Sequence, residues 1–186
     1  VRCLNTFAQD KLYSNTFPLG DVTLLDSPFK HASELNIQTL LKYDVNRLLA
    51  PYRKEAGLTA KATSYANWSG LDGHVGGHYL SGLAIHYAAT GNVDCKTRMD
   101  YMVTELKACQ DANAIKYPTW AVGYAGGVPS SAAVWSTFKV GTFTNYNAAW
   151  VPWYNLHKTY AGLRDAWLYG GSETAKTVFL AFCDWG

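Results

Sequence analysis

The sequence predicts an all-α protein in which long loops between paired helices build a binding site at one end. Apolar residues recur every three to four positions in several segments, which is the period of a helix. No segment alternates apolar and polar residues over the length of a run of strands. Long glycine-containing stretches separate the helical segments, and loops of this kind commonly carry binding residues.

The first part of the chain contains two predicted helices. Asp26-Ser27-Pro28 predicts a helix start, because a capping side chain precedes a proline at the first helical position. A second helix is predicted over residues 44–50 and is expected to end at Pro51, which lacks an amide hydrogen. Residues 10–25 are expected to form an extended lead-in, whose apolar segments either pair as a short strand or pack across helix ends.

The rest of the chain alternates predicted helices with loops. Loops are predicted over residues 57–75, 113–129 and 140–153. Helices are predicted over residues 76–90, over the segment from Met99 to Cys109, and over residues 130–139 and 155–169. Gly91-Asn92 and Gly170-Gly171 are expected to end two of these helices, and Ser172 with Glu173 to begin the last.

The composition excludes several classes of protein. Hydrophobic residues make up 48% and charged residues 16% of the 186 residues, so the chain is not a disordered tail. The net charge of +2 without a basic cluster gives no support for nucleic-acid binding, and no apolar run of membrane-spanning length occurs. The aromatic content of 15% fits either a site for hydroxyl-bearing ligands such as sugars or a large helical core, and both interpretations stay open.

The four cysteines do not form a recognisable metal or redox motif. Cys3, Cys95, Cys109 and Cys183 are too far apart for the Cys-x-x-Cys spacing of a zinc ribbon or a redox pair. Cys109 lies on the apolar face of a predicted helix, so we expect it to be a small buried hydrophobe. Two disulfides among the four are an open alternative.

The segment from Leu71 to Ser81 has the highest density of chemically active side chains. His74 and His78 are four residues apart and share one helix face, which suits two metal ligands. Val75 stands where the metalloprotease pattern requires Glu, so that pattern is absent. Two interpretations remain: a ligand site in which Asp72 and the imidazoles bind hydroxyls, or a helix start capped by Asp72 with packed histidines.

A second candidate segment runs from Trp150 to Lys158, at a loop-to-helix junction. Trp153, Asn155 and His157 are candidates to line one side of a ligand site, although Asn155 is equally well explained as the helix cap. His157 is expected in the first helical turn, where the helix dipole favours its neutral form. A third segment, from Gly123 to Pro129, is not a phosphate loop, because no Gly-Lys-Ser/Thr follows it.

These segments, in this order, resemble the opening of bacterial β-L-arabinofuranosidases of glycoside hydrolase families 127 and 146, and family 146 more closely. The resemblance covers residues 17–185. The matching motifs are Phe17-Pro18-Leu19 with Val22 to Phe29, Arg47 to Leu58, Gly70 to His74 with Gly77 to Ser81, Asp100 to Gln110, Gly123 to Pro129, Trp150 to Lys158 and Gly162 to Ala166.

This resemblance implies that residues 10–186 are the N-terminal portion of an (α/α)6 barrel that continues beyond Gly186, with long loops forming a sugar pocket. It implies a retaining exo-glycosidase that releases non-reducing-end β-L-arabinofuranose from plant glycans. The family's nucleophile is a cysteine on zinc, and its acid/base is a glutamate. Their Glu-x-Cys and Cys-Cys arrangements do not occur here, so we expect no catalytic residue and no metal ligand in this chain, and the zinc ligands downstream.

The resemblance also assigns a substrate-binding role to residues of the three candidate segments. The transferred positions are His78 and His157 first, then Asp72, His74, Tyr124, Gly126, Trp153 and Asn155. Two alternatives stay open: a truncated, catalytically inactive sugar-binding remnant, and a different helical-barrel carbohydrate enzyme such as a polysaccharide lyase. Residues 1–9 resemble the end of a signal peptide, which predicts a periplasmic or secreted protein.

Overall fold

The computed structural model describes residues 17–66, 71–143 and 149–186, and within these ranges the chain is helical, with no strand. A 3-10 turn at Leu19–Asp21 precedes the α-helices. The helices are α1 (Pro28–Lys42), α2 (Val45–Glu55), α3 (His74–Thr90), α4 (Val93–Lys116), α5 (Ser131–Lys139), α6 (Pro152–Leu168) and α7 (Glu173–Trp185). The prediction of an all-α fold is confirmed.

The predicted helix signals at three positions are confirmed. The Ser27 hydroxyl accepts a hydrogen bond from the Lys30 amide at 3.3 Å, and α1 starts with Pro28. The Ser172 hydroxyl accepts from the Ala175 amide at 3.2 Å and so begins α7. Gly91 ends α3 in the left-handed conformation with a φ of 70°. Such caps satisfy backbone groups that a helix end leaves without partners.

The predicted end of the second helix at Pro51 is wrong. Helix α2 continues through Pro51 to Glu55, although proline removes one backbone hydrogen bond and costs about 3 kcal/mol in a helix interior. Leu48, Leu49 and Tyr52 are buried on both sides of Pro51. Their burial in the core compensates for the lost bond, an effect that local sequence rules do not include.

The lead-in packs across helix ends rather than forming a strand, as far as residues 17–25 show. The turn at Leu19–Asp21 lies against α3, where a side chain on Gly20 would meet the Ala88 carbonyl oxygen at 3.3 Å. Residues 10–16 of the predicted lead-in lie outside the described residues. No helix in the described part of the chain has the length and hydropathy required to cross a membrane.

The main helices form two antiparallel pairs. Within the pair α3–α4, Tyr79 meets Arg98, whereas a side chain on Gly76 would meet Met102. Within the pair α6–α7, Tyr160 hydrogen-bonds to the Phe182 carbonyl, and Trp167 packs against Phe179. In both pairs the residue numbers run in opposite directions, as in an αα-hairpin.

Helices α3 and α6 lie side by side and run in the same direction. Asn155 contacts Asp72 before the two helices cross, and Gly162 lies against Leu80 after the crossing. Their N-termini therefore lie at the same end of the protein. The described parts of the long connections (56–66 with 71–73, 117–130, and 140–143 with 149–151) lie at this end, while the short connections 91–92 and 169–172 lie at the other. The predicted placement of long loops at one end is confirmed for the described residues.

Glycines allow the backbones of α3 and α6 to approach closely. A Cβ on Gly77 would overlap the Lys158 carbonyl group and lie 2.6 Å from the Thr159 nitrogen. A Cβ on Gly162 would lie 3.1 Å from the Leu80 Cβ. Backbone atoms cannot move aside as a flexible side chain can, so this crossing requires residues without a Cβ.

Replacing Gly77 by alanine should lower the free energy of unfolding by about 1–3 kcal/mol, because the added methyl group meets backbone atoms of α6. Gly82→Ala on the same helix is the matched control. Its Cβ would lie 3.4 Å from a methyl group of Leu40, so the better helix propensity of alanine should leave stability unchanged or raised by up to about 1 kcal/mol. Urea unfolding followed by tryptophan fluorescence compares the two, and equal midpoints would contradict the close crossing.

Candidate functional site

Three side chains hold the turn Leu71–Gly73 that leads into α3. The Asn155 amide Nδ2 donates to the Asp72 carbonyl at 2.7 Å, and the Tyr52 hydroxyl donates to the Gly73 carbonyl at 2.5 Å. His74 Nδ1 lies 3.2 Å from the Leu71 carbonyl. Since a carbonyl only accepts, Nδ1 of His74 carries the proton in this contact. The turn is thus connected to α2, to α6 and to the first residue of α3.

Side chains from α3 and α6 form a group that we call the histidine cluster: His74, His78, Tyr154, His157 and Lys158. The rings of His74 and His78 meet edge to face with centroids 5.4 Å apart, and the Tyr154 ring lies 6.0 Å from His74. The Lys158 ammonium lies 4.5 Å from the centroid of the Tyr154 ring. His74 is buried, whereas His78 and His157 are exposed at the surface of their helices.

The surroundings of His78 favour its neutral form. Although the His78 side chain reaches the surface, partial desolvation of its ring is the largest cause that lowers its pKa, and the positive charges of Lys158, His74 and His157 lower it further. A neutral imidazole offers one hydrogen-bond donor and one acceptor. This side chain is therefore equipped at neutral pH to bind a hydroxyl group, which can both accept and donate.

The structure revises three interpretations of this region. Gly73, with a φ of 95°, occupies the cap position of α3 and no side chain caps that helix, so the interpretation of Asp72 as the cap is wrong. Helix α6 begins at Pro152, and Asn155 lies inside it rather than capping it. His157 is the sixth residue of α6, in the second turn, where the predicted effect of the helix dipole has largely decayed.

Tyr124 and Gly126 lie in the core rather than in the histidine cluster. The Tyr124 side chain is fully buried, and its hydroxyl pairs with the Ser131 hydroxyl at 2.6 Å and accepts from the Trp135 ring nitrogen at 3.2 Å. Gly126 packs against the Tyr124 ring and Leu156. The structure therefore separates these two residues from His78 and His157, and their sugar-binding role stays a prediction.

Trp153 belongs to an aromatic group at the same end of the protein. Its ring is 4.9 Å from Trp135 and 5.7 Å from Phe138, and it is partly exposed. With Trp120 and Trp185 these rings line a cavity of about 210 Å³. Trp153 thus packs with these aromatic rings, and its predicted contact with sugar is untested.

Sequence reasoning missed Tyr154 and Lys158. Tyr154, His157 and Lys158 follow the spacing i, i+3, i+4, which places them on one helix face, so a signal was present. It also missed Tyr52, for which no local signal exists. The position of its hydroxyl depends on how α2 packs against α3 and α6.

The described residues do not fit a zinc-thiolate centre. In the described ranges, no three His, Cys, Asp or Glu side chains converge as a metal site requires. Burial raises the pKa of the Cys109 thiol to about 12, so this thiol is held in its protonated form. Cys109 is buried, as predicted, and Cys95, Cys109 and Cys183 are all free thiols, so the alternative of two disulfides does not hold. We derive no chemical step through zinc from these residues.

Paired helices whose long loops meet at the end that carries the histidine cluster define the class of the protein. This all-α arrangement is consistent with part of an (α/α)-barrel-type glycosidase domain. The family model described as beta-L-arabinofuranosidase, GH127 catalytic domain, matches residues 21–186, and the chain belongs to this family. The resemblance to glycoside hydrolase family 127 is therefore confirmed, whereas the closer similarity to family 146 stays a prediction. No curated protein matches the chain.

Replacing Lys158 by methionine should raise the pKa of His78. The substitution removes a positive charge that disfavours the imidazolium form, while desolvation, the largest cause, remains. The pKa should therefore rise but stay below the ordinary value of 6.5. Titration of the imidazole signals by nuclear magnetic resonance measures this. His86, whose pKa is lowered by desolvation, serves as the internal control. An unchanged pKa of His78 would show that Lys158 lies too far from the imidazole to affect its protonation.

Proposed function

We propose that this chain supplies sugar-binding residues to a retaining exo-glycosidase that releases terminal β-L-arabinofuranose from plant glycans. Family membership gives the coarser activity, a β-L-arabinofuranosidase acting on a glycan. The observation that carries the finer proposal is the meeting of His78 and His157, with Lys158, across two parallel helices at the loop end. The sequence resemblance assigned sugar contacts to His78 and His157.

The chemistry of the histidine cluster supports binding rather than bond cleavage. Furanose hydroxyls need donors and acceptors held in place, and a neutral His78 provides both. Retaining glycosidases require a nucleophile and an acid/base at a fixed separation. The cluster contains three imidazoles, a phenol and an amine, and no carboxylate or thiol is among its members. We therefore assign the nucleophile, the acid/base and the predicted zinc to residues other than those of the cluster.

Alanine at His78 or His157 should lower kcat/KM on an aryl β-L-arabinofuranoside roughly twofold to tenfold, since a hydrogen bond between neutral groups contributes about 0.5–1.5 kcal/mol. The assay uses the protein at its natural length and follows release of the aryl group. His86→Ala is the control. It lies on α3 as His78 does, but its partner is Asn36 on α1, 2.7 Å away. We expect its activity to stay at the wild-type level.

Two results would contradict the proposal in different ways. Full activity of both His78→Ala and His157→Ala would show that the cluster does not hold the sugar. Binding of L-arabinose by the wild-type protein without hydrolysis would favour the sugar-binding remnant.

Nuclear magnetic resonance of the first-formed product tests retention through its anomeric configuration. The predicted export stays a prediction, because residues 1–9 lie outside the described ranges.

A further inference from the structure

We propose that Tyr52 and Asn155 are positioning residues, which hold the turn Leu71–Gly73 so that α3 presents His74 and His78 in a fixed position against α6. Nothing in the sequence pattern assigns a role in the site to Tyr52, and Asn155 was expected to contact sugar directly. The effect of these residues on activity rests on the proposed sugar-binding role of the cluster. Their effect on the position of the turn does not depend on that role.

Tyr52 connects three parts of the protein through one hydroxyl group. Its side chain is fully buried, and the hydroxyl donates to the Gly73 carbonyl. The same oxygen lies 2.9 Å from the Thr159 hydroxyl on α6. Because the single hydroxyl proton of Tyr52 is used on the carbonyl, Thr159 is the donor in this second bond. The chain Thr159 to Tyr52 to Gly73 therefore couples α6 and α2 to the start of α3.

Asn155 holds the neighbouring carbonyl of the same turn. It is fully buried, and its Nδ2 donates to the Asp72 carbonyl at 2.7 Å. Its Oδ1 is buried and has no hydrogen-bond partner among the described residues. The bond to Asp72 is thus the one hydrogen bond that its side chain makes within the described ranges. It joins the first turn of α6 to the residue that precedes the cap of α3.

The turn needs such support because α3 has no side-chain cap of its own. Gly73 stands at the cap position with a positive φ, a conformation that few residues adopt readily. His74 follows directly, and His78 lies one helical turn further along the same face. Gly77, next to His78, is held against α6, so a shift of the turn would displace His74 first and with it the edge-to-face contact between the His74 and His78 rings.

The test compares Tyr52→Phe and Asn155→Leu with Tyr79→Phe as the matched control. Tyr52→Phe removes only the hydroxyl, and Asn155→Leu removes the amide at similar volume. Tyr79 is a buried tyrosine of α3 whose hydroxyl donates to the Leu40 carbonyl at 2.9 Å, away from the turn. Its loss should destabilise the fold without moving the turn. The readout is the titration of His78 and His86 in labelled protein at its natural length, with urea unfolding as the measure of stability.

We expect Tyr52→Phe and Asn155→Leu to raise the pKa of His78 toward 6.5, because displacement of the His74 ring reduces the desolvation of His78, the largest cause of its lowered pKa, and weakens the repulsion from His74. The pKa of His86, which depends on desolvation, should not change. Tyr79→Phe should leave both unchanged. The activity of the two turn variants should fall about tenfold in kcat/KM, while that of Tyr79→Phe should not fall.

Three results would overturn the inference: an unchanged His78 titration in either folded turn variant, equal changes at His78 and His86, or a change of the same size in Tyr79→Phe. If Tyr52→Phe does not fold, Asn155→Leu decides the question alone. The titration needs no substrate. An inactive wild-type protein would therefore refute the proposed function, while the pKa values of His78 and His86 would still test this inference.

Discussion

The close parallel crossing of α3 and α6 is the contact on which the rest of the structure depends. At Gly77 and Gly162 the backbones meet without a Cβ between them, so the two helices cannot slide or separate without losing packed contacts. The crossing brings both N-termini to one end of the protein. It also places the Tyr52 hydroxyl and the Asn155 amide within hydrogen-bond distance of the carbonyls of the turn before α3.

The electrostatics of the histidine cluster follow from this crossing. Four groups that can carry positive charge, three imidazoles and the Lys158 amine, lie on two neighbouring helix faces. Partial burial and mutual repulsion both disfavour the imidazolium form of His78, so the site holds a neutral ring where an isolated histidine would titrate near neutral pH. A neutral ring offers one hydrogen-bond donor and one acceptor to a neighbouring group.

Two environments share the loop end of the protein. The histidine cluster is polar and partly exposed, whereas Tyr124, Trp135 and Phe182 form a packed aromatic core whose polar atoms are satisfied internally. The abundance of aromatic residues thus serves the core at least as much as any ligand. The interpretation of the aromatic content as a helical core thus holds for these rings, whereas the interpretation as a sugar site stays a prediction.

The sequence by itself determined the helical class, the caps at Ser27, Ser172 and Gly91, the shared face of His74 and His78, and the family. These depend on local spacing or on ordered motifs that can be read along the chain. The tertiary structure alone decided that α2 continues through Pro51, that Tyr124 is core, and that Asn155 and Tyr52 bind backbone carbonyls. Tyr52 and Thr159 are 107 residues apart, and Asn155 and Asp72 are 83 apart. Contacts over such separations arise from helix packing, which no local pattern encodes.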